Sequence, residues 1–560
     1  MHGKQTEWNC RPVLQLQVCF VSLLSITVLL KCNKYVKNSH PPSISQKPAI
    51  AAIATALGEA GIAVIRVSGD GALKKVSQIF RGTDLSAQAT HTAHFGRILN
   101  RPDDAGGKAG NKGGQEGDSS HANEPRIIDE VVATIFRSPK SYTGEDTVEI
   151  SCHGGVLVTQ EVLEAVLRQG VRHAEPGEFT QRAFLNGKLE LSQAEAVADM
   201  IHAKSRKAVE AAGQQLEGVL GKHVRAFRQQ IIDATAMVEL ELDFVEEDVE
   251  FANKEELARL LGEVRSEIGR LLETYESGRL VKYGVQTVFV GRPNSGKSTL
   301  LNTLMGKERA IVSATAGTTR DVIDADWSYE GLTFTLTDTA GLRETADEIE
   351  SEGVRRSESA VARADLILYL ADVTVPPDDE ERRLLDRIAQ HSEGKVLLKV
   401  GTKLDLADPA KREALLKGVP GGASGSSGMS NSSDSSSISE SSPEDKSPGP
   451  GAGESRFDAV ISAKDGTGIQ ELKKCMRTEV LHHKDIDTSQ VLVTSTRHRD
   501  SLEKARHHVE EALRALESGM TGDFLAIDLR AALNELGTIT GEITTEDLLD
   551  SIFSRFCIGK

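Results

Sequence analysis

Apolar residues recur with two different periods along the chain. Short apolar runs separated by turn residues, such as 62–67 and 131–136, predict strands of an α+β domain near the N-terminus. Over 192–284 apolar positions recur three or four residues apart, which predicts long helices. Strand-like and helical stretches alternate over 285–483, as in an α/β domain, and the helical period then returns.

This order of patterns predicts several domains, one of them inserted into another. The predicted parts are a leader at 1–47, an N-terminal α+β domain at 48–191, a first helical part at 192–284, an α/β domain at 285–483 and a second helical part at 484–560. Two polar stretches, 101–125 and 418–456, are expected to be disordered inserts without chemistry. The simplest arrangement is one helical domain built from both flanks of the α/β domain, whose ends must then lie close together.

Composition and charge narrow the range of partners. The 560 residues carry a formal net charge of -17, which argues against a broad basic surface that coats nucleic acid. An RNA partner would therefore bind a local patch. The six cysteines form no CxxC pair, which speaks against a zinc knuckle, an iron–sulfur centre or a disulfide scaffold and favours a reducing compartment.

Residues 1–47 differ from the rest of the chain, because Glu7 is their only acidic residue. The stretch 13–30 is mostly apolar but includes several Gln, Ser and Thr residues, so it is marginal as a membrane span. We favour an organellar presequence over a membrane anchor, although arginine is scarce for a mitochondrial one. The expected location is the mitochondrial matrix or chloroplast stroma, as a soluble protein, or the cytoplasm if 1–47 is not a targeting segment.

The first candidate chemistry is the stretch GRPNSGKST, which starts at Gly291 and follows the apolar run 288–290. A glycine-rich loop between a strand and a helix exposes backbone N–H groups that bind phosphate oxygens. Lys297 supplies positive charge, and Ser298 is placed to ligate Mg²⁺. The sequence therefore predicts a nucleotide-binding domain whose phosphate loop lies in the middle of the chain.

Four further motifs follow in the order found in GTPases. AGTTRD at 316–321 offers Thr319 for Mg²⁺ and the γ-phosphate, and DTAG at 338–341 follows an apolar strand. TKLD at 402–405 places Asp405 to accept the two guanine N–H donors that adenine lacks, and SAK at 462–464 supplies a backbone contact to the guanine oxygen. The predicted GTP-binding residues are Asn294, Ser295, Gly296, Lys297, Ser298, Thr299, Ser313, Ala314, Thr315, Ala316, Gly317, Thr318, Thr319, Asp338, Thr339, Ala340, Gly341, Thr402, Lys403, Leu404, Asp405, Ser462, Ala463 and Lys464.

Two positions depart from the usual GTPase pattern. Thr402 stands where Asn is usual, which bears on affinity more than on specificity. Leu342 stands where Ras-like proteins have the Gln that orients the attacking water, so hydrolysis needs another polar group. Acidic residues lie just beyond it, at Glu344, Asp347, Glu348 and Glu350. No arginine finger is evident from the spacing, so the missing positive charge has to come from a monovalent cation or a partner.

The motifs on both sides of the α/β domain resemble those of the tRNA modification GTPase family called MnmE or TrmE. They are IRVSG at 65–69, SYTGEDTVEISCHGG at 141–155, PGEFTQRAFLNGKLELSQAEAVADMI at 176–201 and TGEITTEDLLDSIFSRFCIGK at 540–560. The resemblance runs from about residue 51 to the last residue. It implies a multi-domain α+β and α/β fold: an N-terminal α+β folate-binding and dimerisation domain, a discontinuous all-α helical domain and an inserted Ras-like P-loop α/β G domain.

The same resemblance implies an activity. Members couple GTP hydrolysis to the modification of carbon five of the wobble uridine in certain tRNAs, with a carboxymethylaminomethyl- or taurinomethyl-type group. They act as homodimers in a heterotetramer-like complex with a flavoprotein of the MnmG/GidA type, which alone carries FAD. A tetrahydrofolate, as the 5-formyl or 5,10-methylene derivative, supplies the one-carbon unit. The matching folate-binding positions are Arg66, Glu149, Lys188 and Lys560.

Further site residues match by this resemblance. Asn294, Ser313, Thr315 and Thr318 match the family's potassium site, and a potassium ion there would supply the charge of an arginine finger. Glu350 matches the family's hydrolytic Glu.

Cys557 has two interpretations. It is either a small buried hydrophobic residue or a catalytic thiol near the folate and the target base. His153 is expected to be structural.

Two alternative functions compete with tRNA modification. A ribosome-assembly GTPase would need an RNA-binding module such as a KH domain, and we identify no such module after the G domain. A dynamin-like membrane GTPase would use 13–30 as an anchor, which would leave the FLNGK and CIGK motifs unexplained. No stable membrane association is therefore expected.

Overall fold

The computed structural model describes residues 47–100, 126–243, 254–306, 324–338, 360–392, 394–418, 457–482, 486–488 and 490–560. The predicted insert at 101–125, nearly all of the predicted insert at 418–456 and nearly all of the leader lie outside these residues. The chain forms two compact units. Unit 1 consists of Met1–Ala198, Gly221–Gln229 and Leu533–Lys560, and unit 2 consists of Asp199–Leu220 and Gln230–Ala532.

Unit 1 contains a seven-stranded sheet. Its strands are β1 (Ile50–Ile53), β2 (Ala60–Ser68), β3 (Phe80–Arg81), β4 (Thr92–Asn100), β5 (Arg126–Phe136), β6 (Thr147–Gly154) and β7 (Arg172–His173). They lie in the order β3-β4-β5-β6-β2-β1-β7. Neighbouring strands are antiparallel except β1 and β7, which are parallel.

The sheet of unit 1 has two different faces, because successive side chains of a strand point to opposite sides. On β2, Ala63, Ile65 and Val67 enter the main hydrophobic core. This core also includes residues of α1 (Ala72–Ser77) and α2 (Val156–Leu167). The opposite face carries Arg66, whose neighbour across the strands is Ala52 of a separate small cluster. Arg66 is therefore held at the sheet surface by the alternation of its own strand.

Three further helices of unit 1 bring the chain's C-terminal region onto its N-terminal domain. They are α3 (Glu178–Leu185), α4 (Leu191–His202, of which residues up to Ala198 belong to unit 1) and α15 (Glu546–Phe553). Leu191 and Ala194 share a buried cluster with Phe553 and Phe556. Gly177, just before α3, has a φ of 69°, and a Cβ there would lie 2.7 Å from the carbonyl oxygen of Phe553. Only glycine allows this close approach.

A buried arginine joins the motifs of unit 1. Arg182 of α3 is 2% exposed and pairs with Glu178 at 2.9 Å and Glu145 at 3.1 Å. Its guanidinium also donates to the carbonyl oxygen of Pro48 at 3.0 Å. Burial alone would raise the pKa of Glu178, but hydrogen bonds from the backbone N–H of Glu175 and from Arg182 and Arg172 outweigh it and lower the pKa.

Unit 2 contains a six-stranded sheet with the topology of a P-loop domain. Its strands are β8 (Val285–Val290), β9 (Asp324–Tyr329), β10 (Leu332–Asp338), β11 (Leu366–Asp372), β12 (Val396–Thr402) and β13 (Ala459–Val460), in the order β13-β12-β11-β8-β10-β9. All neighbours are parallel except the hairpin β9–β10. The helices alternating with these strands are α9 (Lys297–Met305), α10 (Asp379–Gln390), α11 (Pro409–Gly418) and α12 (Ile469–Val480).

The remaining helices lie before and after this sheet in the chain. They are α5 (Arg206–Leu216), α6 (Val219–Asp243), α7 (Lys254–Glu273), α8 (Tyr275–Tyr283), α13 (Thr496–Glu517) and α14 (Gly522–Thr540). Within unit 2, α7 packs along α13, so helices from both flanks of the α/β sheet pack together. The predicted fold class is confirmed. Among the helices that the structure describes, none is both long and apolar enough to cross a membrane.

We expect the Glu178 carboxylate to make the stability of unit 1 depend on pH. A lowered pKa stabilises the folded state above the ordinary Glu value of 4.5, and this contribution is lost as the pH falls through the lowered folded value. The thermal midpoint should therefore fall between pH 7 and pH values below about 4, and Glu178→Gln should reduce that fall. Thermal unfolding followed across this range measures it.

Glu130→Gln is the matched control for this prediction. Glu130 lies in unit 1 and pairs with Arg97, but its side chain is 49% exposed, so its substitution should leave the pH dependence unchanged. An equal pH dependence in the wild type and the Glu178→Gln variant would contradict the assignment.

Candidate functional site

The phosphate loop follows β8 and is shaped by two glycines. Gly291 has a φ of 154° and Gly296 a φ of 96°. A Cβ on Gly291 would lie 2.4 Å from the carbonyl oxygen of Leu370, so the loop fits against β11 only because this side chain is absent. Asn294 also has a positive φ, of 63°. The loop thus turns sharply before α9 begins.

The N-terminus of α9 faces a cavity of about 540 Å³. Gly296 is the N-cap residue of α9, and Lys297 is its first residue. The Lys297 Nζ donates to the carbonyl oxygens of Gly291 at 2.7 Å and Arg292 at 2.8 Å, which holds the ammonium group across the loop. Positive charge and the backbone N–H groups of a helix N-terminus together form an anion site.

Thr402 connects the phosphate loop to the sheet. Its side chain is 3% exposed, and its Oγ1 lies 2.7 Å from the carbonyl oxygen of Ser295 and 3.1 Å from that of Ala371. The hydroxyl therefore bonds β12 to the phosphate loop and to β11. The expectation that this departure bears on affinity more than on specificity stays a prediction, and the threonine retains a direct contact with the loop.

The TKLD and SAK segments lie together at the other end of the cavity. The Oγ of Ser462 donates to Asp405 Oδ1 at 2.9 Å, and the backbone N–H of Leu404 donates to the carbonyl oxygen of Ile461 at 3.1 Å. Thr303 of α9 bonds the carbonyl oxygen of Ala463 at 2.9 Å. These bonds orient the Asp405 carboxylate and fix the SAK segment against α9 and the TKLD segment.

Lys403 is held by a carboxylate at the end of β11. Its Nζ lies 2.7 Å from Asp372 Oδ2. Burial would raise the pKa of Asp372, but hydrogen bonds from Lys403 and Thr374 outweigh it and lower the pKa. Asp372 therefore stays charged and fixes the lysine at the wall of the cavity.

The structure places the described GTP-site residues in two groups. Those that line the cavity are Asn294, Gly296, Lys297, Ser298, Thr299, Thr402, Lys403, Asp405, Ala463 and Lys464. Ser295, Leu404 and Ser462 are buried, and the backbone of Asp338 ends β10. The remaining predicted residues lie outside the described residues: Ser313, Ala314, Thr315, Ala316, Gly317, Thr318, Thr319, Thr339, Ala340, Gly341 and Glu350.

Two of the predicted folate residues form a direct pair in unit 1. Arg66 of β2 and Glu149 of β6 are neighbours across the antiparallel strands. The Nε and Nη2 of Arg66 both lie 2.9 Å from Glu149 Oε1. Within the part of the chain that the structure describes, the bonds of this pair use only Oε1, so Oε2 can accept from another donor.

Two aromatic rings beside this pair were missed by the sequence reasoning. The Arg66 guanidinium carbon lies 5.2 Å from the centroid of the Tyr142 ring and 5.7 Å from that of Phe179. The Tyr142 hydroxyl is 2.9 Å from Thr180 Oγ1, and burial raises its pKa although the Thr180 bond and Arg66 oppose the shift. The available signal was the presence of both rings inside the quoted motifs, in a chain with only 4% aromatic residues.

The C-terminal residues lie against the end of β1. Gly559 has a φ of 100°, and a Cβ there would lie 2.2 Å from the carbonyl oxygen of Ile53. Ile53 is the next residue along β1 after Ala52, and Ala52 lies opposite Arg66 of β2. Lys560 and the exposed Cys557 flank this contact and are joined by a backbone bond of 3.3 Å. The structure therefore brings the CIGK motif to the strand beside Arg66.

The other two predicted residues of unit 1 occupy different surroundings. Lys188 Nζ donates to the carbonyl oxygen of Pro139 at 3.1 Å, and its stem lies near Gly144 of the SYTGED motif. His153 Nδ1 lies 2.7 Å from Asp129 Oδ1, and its backbone N–H donates to Asp129 Oδ2 at 2.8 Å. His153 thus connects β6 to β5, which agrees with the expected structural role.

Sheet order, phosphate loop and base-binding loops define a P-loop nucleotide-binding protein of the GTPase class. Two family models match the chain: "GTP-binding protein TrmE N-terminus" over residues 49–188 and "MnmE helical domain" over residues 191–557.

Similar proteins cover nearly the whole chain. The tRNA modification GTPase MnmE of Salinibacter ruber is 44% identical over 517 residues, which are 92% of this chain and 100% of that protein. The protein of the same name from Cytophaga hutchinsonii is 42% identical over 91% of this chain and 97% of that protein. The chain therefore belongs to the MnmE family of tRNA modification GTPases, and the resemblance seen in the sequence is confirmed.

A solved structure also resembles part of the chain. The G domain of the T. maritima FeoB iron transporter is 22% identical and covers 35% of this chain and 96% of that chain, with a TM-score of 0.23.

We expect Thr402→Val to weaken nucleotide binding. The substitution removes the hydroxyl that donates to the carbonyl oxygen of Ser295 at 2.7 Å, and a buried unsatisfied group costs about 1–3 kcal/mol. The affinity for a fluorescent GDP analogue should fall roughly tenfold, as measured by titration. Thr402→Ser keeps the hydroxyl and is the matched control. Wild-type affinity in Thr402→Val would show that this bond does not support the loop.

Proposed function

We propose that this chain, a GTP hydrolase acting in tRNA modification, uses GTP hydrolysis to control the modification of carbon five of the wobble uridine. The partner is a flavoprotein of the MnmG/GidA type, which carries FAD, and the one-carbon donor is a 5-formyl or 5,10-methylene tetrahydrofolate. The observation that carries the proposal is the Arg66–Glu149 pair, with aromatic rings beside it, in a chain that also contains a GTPase phosphate loop.

Nucleotide phosphates would bind at the N-terminus of α9. Lys297 contributes a charge near the β- and γ-phosphates, and the backbone N–H groups of the loop donate to the phosphate oxygens. Ser298 lines the same cavity and is the residue that would hold Mg²⁺, together with Thr319. The metal ion would neutralise phosphate charge, whereas the protein side chains orient the nucleotide.

A potassium ion would bind beside the loop at Asn294. This residue lines the cavity, and its backbone has a positive φ of 63°. Ser313, Thr315 and Thr318 complete the proposed ligand set. A cation there would replace an arginine finger, and Glu350 would act on the attacking water in place of the Gln that is absent at Leu342.

Tetrahydrofolate would bind on the surface of unit 1 that carries Arg66. A pterin presents neighbouring N–H donors, and Glu149 Oε2 can accept one of them while Arg66 fixes the carboxylate. The Tyr142 and Phe179 rings provide flat apolar surfaces beside the pair. Lys188 and Lys560 would bind the anionic part of the folate, and Cys557 is exposed close to Lys560, which keeps it as a candidate catalytic residue.

The assembly and the location are also proposals. We propose a homodimer formed through the N-terminal domain, which joins the flavoprotein in a heterotetramer-like complex.

The relatives named above are bacterial, and the organellar matrix or stroma stays a prediction that rests on 1–47. A fluorescent reporter fused to 1–47 tests it, and a diffuse cytosolic signal would contradict it.

Mass spectrometry of wobble uridines tests the proposed function. Cells that lack the gene should lose the modified uridine, and the full chain should restore it. A chain without Gly559 and Lys560 should not restore it, although its GTP hydrolysis should stay within about twofold, because these residues lie in unit 1 and the phosphate loop in unit 2. Loss of both activities would indicate a folding role for the C-terminus, and unchanged uridines in the knockout would contradict the proposal.

We expect GTP hydrolysis to be faster in potassium than in sodium at equal ionic strength. A potassium ion at Asn294 would stabilise charge that develops in the transition state, and a single preorganised group that does so contributes roughly 100-fold or more in rate. Phosphate release measured in matched chloride salts gives the ratio. Asn294→Ala should remove the difference, whereas equal rates in the two salts would exclude the potassium site.

A further inference from the structure

Helix α5 contacts two separate segments of unit 2. One is the hairpin β9–β10 at the edge of the sheet. The other is the exit segment, defined here as residues 486–488 and 490–494, which lie between the α/β sheet and α13 in the chain. We call the contacting residues of α5, with the lysine just before it, the α5 bracket. They are Lys204, Lys207, Glu210, Gln214 and Gln215.

The two lysines of the α5 bracket hold the hairpin. Lys204 Nζ lies 2.7 Å from Asp326 Oδ2 on β9, and Asp326 Oδ1 accepts from Thr335 Oγ1 on β10 at 2.9 Å. The stem of Lys207 lies on Gly331 in the hairpin turn, where a Cβ would be 2.9 Å from Lys207 Cγ. The bracket therefore contacts both strands and the turn of the hairpin.

Small apolar residues bring α5 close to the sheet. Ala208 and Ala211 belong to the same buried cluster as Trp327 of β9 and Phe334 of β10. Alanine side chains at these positions allow the helix to approach the sheet closely. The apolar contact keeps α5 docked, whereas the Lys204 side chain is 56% exposed and its ion pair can break and reform at little cost.

The other residues of the α5 bracket hold the exit segment. Lys207 Nζ donates to the carbonyl oxygen of Ile486 at 3.0 Å. Gln214 Nε2 donates to the carbonyl oxygen of Thr488, whose hydroxyl donates to Glu210 Oε2 at 3.1 Å. The Oγ1 of Thr494 donates to Gln215 Oε1 at 3.2 Å. A shift of α5 would therefore move the segment that leads into α13.

The hairpin has a special position in the chain. Its first strand begins at Asp324, shortly after Thr319, and its second strand ends at Asp338, the first residue of the DTAG motif. It is thus the stretch between the two motifs proposed to contact the γ-phosphate and Mg²⁺. Six residue pairs join its strands, from Leu332↔Tyr329 to Thr337↔Asp324. A displacement of the open end of the hairpin would therefore also shift its turn.

We propose that the α5 bracket transmits the nucleotide state of the G domain to the helices that follow it. Lys204 and Lys207 are positioning residues, because they link the hairpin to the exit segment and neither of them lines the phosphate-loop cavity. The inference rests on the proposed GTP binding and adds a route by which GTP and GDP states produce different positions of the exit segment.

Hydrogen–deuterium exchange of the full chain tests the bracket. It is measured with GDP and with a non-hydrolysable GTP analogue, on peptides that cover 206–216 and 486–494. In the wild type the exchange of both peptides should differ between the two states by roughly fivefold or more. In the double variant Lys204→Met, Lys207→Met this difference should fall below about twofold, while GDP affinity stays within about twofold.

Two further variants make the result interpretable. Asp326→Asn breaks the Lys204 pair from the hairpin side and should also reduce the difference, so it carries the test if the double variant does not fold. Arg259→Met removes an ion-pair cluster with Glu256 and Glu263 on α7 and should leave the difference unchanged.

Equal exchange in the two states of the wild type would overturn the proposal, and so would a full difference in both the double variant and Asp326→Asn. A loss of the difference in Arg259→Met as well would show a general loss of stability and would also overturn it. Absence of nucleotide binding by the wild type would contradict the proposed function itself and would remove the basis of the bracket.

Discussion

Unit 2 depends on the contact between the segment that follows the α/β sheet and the start of α8, the helix that precedes the sheet. The backbone N–H of Val493 donates to Thr274 Oγ1 at 3.0 Å, and a Cβ on Gly278 would lie 2.3 Å from the carbonyl oxygen of Val493. Tyr275 and Thr496 join their hydroxyls at 3.0 Å beside it. An α/β domain inserted between two helical segments allows those segments to pack together only if the chain enters and leaves the domain at neighbouring points. The contacts of α5 with the exit segment extend from this junction.

The two units use different chemistry for their candidate sites. In unit 2 the phosphate loop depends on backbone geometry, since Gly291 and Gly296 adopt positive φ and the Thr402 hydroxyl bonds the loop carbonyl of Ser295. In unit 1 the folate candidates are side chains on a rigid sheet, and Arg66 and Glu149 are fixed by strand register. A phosphate site built from backbone suits any nucleoside triphosphate, so in the proposed site Asp405 and the SAK loop would select the base. A site built from side chains on neighbouring strands holds its groups more precisely than a site on loops.

Sequence patterns predicted those features that depend on residues close together in the chain. The phosphate loop, the strand before it and the helical flanks follow from motif and periodicity, and the family motifs named Arg66 and Glu149. The sequence did not predict that these two residues pair directly, because that depends on the register of strands 83 residues apart in the chain. The sequence also did not predict the contact of Thr402 with Ser295, which are 107 residues apart in the chain. The positions of the Tyr142 and Phe179 rings beside Arg66 likewise depend on the tertiary fold. Thr402 departs from the usual Asn of the TKLD motif, and its role became clear only from its bond to Ser295 in the folded chain.

The central claim is that GTP chemistry and one-carbon chemistry occupy separate sites in one chain. Binding of 5-formyltetrahydrofolate to the full chain, measured by calorimetry for the wild type, Glu149→Gln and the matched control Glu130→Gln, tests it most directly. The account predicts binding by the wild type and the control, and a loss of roughly tenfold or more in Glu149→Gln, with GTP hydrolysis unchanged. Equal folate affinity in all three proteins, or no folate binding by any of them, would contradict it.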